Sequence, residues 1–89
     1  MNGIPRQNVA IILTDLEDSQ DYQRLVLGSH ERAPNQFRQD LETARRICFE
    51  EGRTIEDIRS WLERLHQQSL GTLQTFRAAI ERAQAELTS

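Results

Sequence analysis

An all-α fold of three to four helices is predicted by three observations. Apolar residues recur at helical spacing along most of the chain, one strand-like run has no second strand to pair with, and Pro and Gly stand where helices would start and stop. The expected architecture is an antiparallel helical hairpin with a long C-terminal helix and short N-terminal helical segments packed on it. The 89 residues make a single small domain, divided into a flexible lead-in (1–7), N-terminal helical segments and a loop (8–33), and the hairpin (34–88).

Gly3 and Pro5 mark the lead-in, after which Val9, Ile12, Leu13 and Leu16 follow helical spacing. The run VAIIL over 9–13 also suits a buried strand, but an isolated strand leaves its backbone groups unpaired, so a helix is expected. Past Leu16 the apolar face turns, since Tyr22, Leu25 and Val26 point nearly opposite to the stripe of Val9 and Leu16 at about 100° per residue. Ser19 suits an N-cap and Gly28 a stop, giving a second segment over 20–27 and then a polar loop, Gly28 to Arg32.

Pro34 at a first helical position opens the next helix, where Phe37, Leu41, Ala44, Ile47 and Cys48 share one face. Gly52 is expected to end it in a left-handed conformation, with Glu42 and Arg46 paired on the wet side. Thr54 then caps a new helix, and Glu56 and Asp57 in its first turn suit the helix dipole. Beyond it Ile58, Leu62, Leu65, Leu73, Phe76, Ile80, Ala83 and Leu87 keep one phase, within about 60° of a common direction. One helix over 55–88 is expected, with a bend or break near Gly71 as the alternative.

That length has a consequence. About 34 residues make a rod of roughly 50 Å, whereas the preceding helix reaches only about 27 Å, so part of the stripe is left without cover. An uncovered stripe implies a protein partner or self-association, a homodimer being favoured. The expected interface is Leu73, Phe76, Ile80, Ala83 and Leu87, joined by Phe49 and Leu70, which point off their own helices' stripes, and by Trp61 beside Arg64 at the stripe's edge. On this reading Phe76→Glu with Ile80→Glu should dissociate an oligomer and leave the hairpin helical.

Composition narrows the function. The net charge of -3 and pI near 5.3 give no long-range attraction to nucleic acid or anionic lipid. The stretch ARRICFEEGRTIEDIRSWLERL, 44–65, resembles the helix–turn–helix of DNA-binding proteins. Its five Arg are balanced by five acids, and Glu56 and Asp57 stand where base contacts would be made. A small DNA-binding regulator using the helix 54–65 is therefore the alternative, and a protein-binding adaptor, inhibitor or assembly factor is expected first.

Catalytic, cofactor and metal sites are not expected. DLEDSQD, 15–21, alternates carboxylates but has Gln20 and Val26 where a calcium loop needs Gly and Glu. His30 and His66 lack companions at ligand spacing, no glycine-rich phosphate loop exists, and Cys48 lies on an apolar face. Glu63 one turn before His66 is an ordinary pair on a wet helix face. The lone cysteine and the lack of a leader make the cytoplasm the expected compartment, and no apolar run is long enough to span a bilayer.

Overall fold

The structure, a computed structural model, describes residues 3–28, 32–69 and 74–88. Five helices form among them: α1 (Gly3–Asp18), α2 (Gln20–Gly28), α3 (Arg32–Ile47), α4 (Ile55–Ser69) and α5 (Gln74–Thr88). The expected lead-in is helical from Gly3, because Pro5 sits in the first turn, where its missing N–H has no intrahelical partner to lose. VAIIL lies inside α1, so the strand alternative falls. The Ser19 hydroxyl closes α1 by donating to the Leu16 carbonyl (2.7 Å) and caps α2 by accepting from the Tyr22 amide (3.1 Å).

Pro34 lies in the first turn of α3, which starts at Arg32. At its other end α3 stops at Ile47, ahead of the expected position. The amides of Cys48 and Phe49 turn back to the carbonyls of Arg45 and Arg46 (3.2 and 3.0 Å), tightening the chain into a single-turn exit. A turn then closes from the Arg53 amide to the Glu50 carbonyl (3.4 Å), and Gly52, its third residue, has φ +84°. A positive φ at that position is what a type II turn requires. Thr54 and Asp57 cap α4 reciprocally: the Asp57 amide donates to Oγ1 of Thr54 (3.1 Å), and the Thr54 amide donates to the Asp57 carboxylate (3.3 Å).

The expected single helix over 55–88 does not form. His66 Nε2 lies 3.2 Å from Glu81 Oε2, two residues that a continuous helix would separate by about 22 Å. Gln84 likewise donates to Glu63 (3.1 Å), and Arg59 donates to the Leu87 carbonyl (3.2 Å). The chain therefore reverses between Ser69 and Gln74, and α5 runs back along α4. Both helices keep the phase read from the sequence, but their stripes face one shared core. Leu70, Gly71 and Leu73, like the Leu25 and Val26 side chains and His30, lie outside the described residues.

The same logic orients the remaining helices. Arg45 to Glu17 (2.8 Å) and Arg6 to the Glu50 carbonyl (3.4 Å) set α3 antiparallel to α1. Gln68 of α4 donates to the buried Asp40 of α3, which also accepts from Gln36 (3.0 Å). Asn8 of α1 donates to Glu86 of α5 (2.9 Å). The result is an up-down-up-down bundle of α1, α3, α4 and α5, each antiparallel to its neighbours, with α2 joining α1 to α3. Its 21 × 21 Å cross-section matches a two-by-two arrangement of helices about 10 Å apart.

Val9 and Leu13 of α1, Leu41 and Ile47 of α3, Ile58, Leu62 and Leu65 of α4, and Phe76 and Ile80 of α5 are fully buried in the centre. Phe76 is the hub of an aromatic cluster, stacked on Phe37 (5.7 Å) and tilted against Tyr22 (5.9 Å). Arg46, expected to pair with Glu42, instead reaches Glu50 (3.2 Å), which Arg53 also contacts (2.9 Å).

Two outcomes follow from this packing. Phe76→Glu with Ile80→Glu should abolish the helical circular-dichroism signal, because two unpaired buried charges exceed a domain's total stability of about 5–15 kcal/mol. Phe76→Ala alone should lower the stability measured in urea by about 3–5 kcal/mol. At the turn, an added Cβ on Gly52 meets no atom within 4 Å. Gly52→Ala should therefore cost only the left-handed backbone penalty of about 1–2 kcal/mol, and Thr54→Ala about 1 kcal/mol through the lost cap.

Candidate interaction surface

The sequence-predicted interface is dispersed by the fold. Phe76, Ile80, Ala83 and Leu87 are buried within the chain's own core, so the uncovered stripe that implied a partner is covered by α1, α3 and α4. Trp61 is half-buried against that core, with the Arg64 guanidinium 4.9 Å from its ring centroid. Leu70 and Leu73 lie outside the described residues. Of the described ones, Phe49 alone is an exposed surface residue, at 70%.

Among the described residues, the cysteine is internal and His66 pairs with Glu81. Cys48 is buried, donates to the Ala44 carbonyl (3.3 Å), and its thiol is pushed up to about 11 by burial. Among the described residues no three His, Cys, Asp or Glu side chains converge as a metal site. The acidic run 15–21 is divided: Glu17 pairs with Arg45, Asp21 accepts from Thr75 (3.0 Å), and Asp15 and Asp18 face solvent. No helix is long and apolar enough to cross a membrane among the described residues.

Two surface residues that the sequence reading missed now stand out. Ile4 and Ile11 are 53% and 57% exposed and, with Phe49, are the large exposed hydrophobics of the described residues. A signal for them existed. On a helix through 3–18, Ile11 points about 165° from the stripe of Val9, Leu13 and Leu16, and Ile4 lies about 20° from Ile11. Treating 1–7 as a lead-in concealed the pair.

Ile11 forms a ridge between two open grooves. On one side Gln7, Ala10, Thr14 and Asp15 face Phe49 across a groove of about 460 Å³. On the other, Asn8 and Ile12 face Arg82, Ala85 and Glu86 of α5 across a groove of about 410 Å³. The turn carrying Phe49 is tied to α1 by the Arg6 bond to the Glu50 carbonyl, which fixes the first groove's width. Both linings mix apolar side chains with polar ones, Thr14 and Asp15 in the first groove and Asn8, Arg82 and Glu86 in the second. Comparison with protein-family models, curated proteins and solved structures returns no match. The surface must therefore be read from its own geometry.

One internal polar group has a measurable signature. Glu17 Oε1 and the Tyr22 hydroxyl are buried and have no hydrogen-bond partner among the described residues. Burial pushes the Glu17 carboxyl above the ordinary carboxylate value against the pull of Arg45, and burial reinforced by the Glu17 charge pushes Tyr22 up to about 12. As pH rises through 4.5 the unfolded chain loses the Glu17 proton first, so this group's contribution to stability declines until the folded form ionises as well. Urea titrations of wild type and Glu17→Gln between about pH 4 and 7 should show the difference shifting in favour of Gln as pH rises.

Proposed function

We propose that the protein is a non-enzymatic interaction module, an adaptor, inhibitor or assembly factor, that engages a protein partner through the outer face of α1 and Phe49. The observation that carries this reading is the placement of Ile4, Ile11 and Phe49 in solvent while the rest of the large apolar side chains described pack inside. Exposed apolar residues that share grooves with polar rims are the usual form of a protein contact surface.

The DNA-binding alternative draws no support from α4. Arg59 is engaged by Glu56 (2.8 Å), and Arg46 and Arg53 by Glu50, so the basic residues of that stretch are not gathered into a phosphate-neutralising face. The acidic residues at the start of α4 serve its cap and dipole instead.

The test places a photo-crosslinking amino acid at Ile11 or Phe49, and at exposed Glu63 as a control, in the protein mixed with its native cell extract. Adducts at the first two positions and not at Glu63 are expected. Ile11→Asp combined with Phe49→Ala should weaken capture about tenfold or more while leaving the thermal melt close to wild type. Equal labelling at all three positions would overturn the reading.

A further inference from the structure

We propose that the occupant of the α1 surface is a second copy of this chain, its α1 lying antiparallel to the first across a two-fold axis at Ile11. This deepens, and rests on, the interaction-module reading.

The first argument is shape. An isologous contact requires one patch to supply both the projection and the recess that receives it. The outer face of α1 does so: Ile11 is the ridge, and the groove between α1 and Phe49 runs beside it along Gln7 and Thr14. With the axis passing beside Ile11, the two Ile11 ridges lie side by side and each seats in the groove of the other copy, which is ridges-into-grooves helix packing.

The second argument is charge. Asp15 and Asp18 are exposed on the C-terminal half of this face and enter no ion pair among the described residues, whereas its N-terminal half, Ile4 and Gln7, holds no acid. A two-fold axis at Ile11 sets Gln7 opposite the partner's Asp15, so that the amide can donate to the carboxylate. It also sets the first turn of α1, the positive end of the helix dipole, beside the partner's Asp18. A parallel pairing would instead place Asp15 on Asp15 and Asp18 on Asp18. The uneven charge along α1 thus selects the antiparallel arrangement.

Area sets the strength. A contact along a helix of about 24 Å buries less than the roughly 1,200 Å² total of stable complexes, so the dimer is a weak one that forms with concentration.

Sedimentation of the purified chain up to about 1 mM should show its mass rising toward a dimer, and Ile11→Glu should raise the dissociation constant at least tenfold with the helical signal unchanged. Oxidation of single-cysteine probes reads the geometry, Cys48 being buried. Ile11→Cys should cross-link to itself faster than Ser60→Cys on the exposed side of α4. A mixture of Ile4→Cys and Asp18→Cys should cross-link faster than either alone.

A wild type that stays monomeric throughout the range overturns the proposal. So does a dimer indifferent to Ile11→Glu, or Ile4→Cys cross-linking to itself as fast as the mixture. A monomer whose Ile11 probe captures a different protein from extract would overturn the second copy and leave the interaction reading standing.

Discussion

The reversal of the chain between Ser69 and Gln74 is the constraint on which the rest of the structure depends. An unbroken helix would have carried the apolar stripe far beyond any cover that the shorter N-terminal segments could give. Folding α5 back along α4 brings Phe76, Ile80, Ala83 and Leu87 against Ile58, Leu62 and Leu65, and that burial is the principal stabilising term for a chain of this size. Ser69 assists the stop: its side chain is buried and donates to the His66 carbonyl (2.8 Å), satisfying a backbone group of the last turn.

Once α4 and α5 form a pair, α1 and α3 have one arrangement that closes the core. Each contributes a single stripe, and the polar ties between helices fix register more than they add stability. Glu17 to Arg45 and Asp40 to Gln68 anchor α3 at two levels, and Asn8 to Glu86 anchors α1 on α5. Partly buried bonds of this kind penalise wrong registers, because slippage would leave a desolvated carboxylate unpaired. Phe76 joins the ends of α2, α3 and α5 through its contacts with Tyr22 and Phe37, so the short α2 is held by the core and not merely by its connections.

The surface that remains follows from the same packing. α1 buries Val9, Leu13 and Leu16 and turns Ile4 and Ile11 outward. The early end of α3 at Ile47 puts Cys48 inside and Phe49 outside, next to α1. An apolar ridge, flanking grooves and exposed carboxylates toward the end of α1 give that helix the features of a contact face, while Cys48 stays internal and His66 pairs with Glu81. Function is accordingly proposed to lie in what the bundle presents, with its interior serving to hold that face rigid.

Sequence alone determined the local features. Helical spacing with no strand partner gave the all-α class, Ser19 and Thr54 were legible as caps, Gly52 as the left-handed residue, and Ile58, Leu62, Leu65, Phe76, Ile80, Ala83 and Leu87 as one apolar set. These are properties of neighbours within a turn or two of helix, which local rules describe. Which way that apolar set faced was decided only by tertiary structure. Helical phase is indifferent to a reversal that preserves it, so a stripe meant for the chain's own core and one meant for a partner look alike along the sequence. The interface read from that stripe moved inside for this reason. Ile4 and Ile11 became visible as surface only when the packing of α1 showed which of its faces the bundle had used.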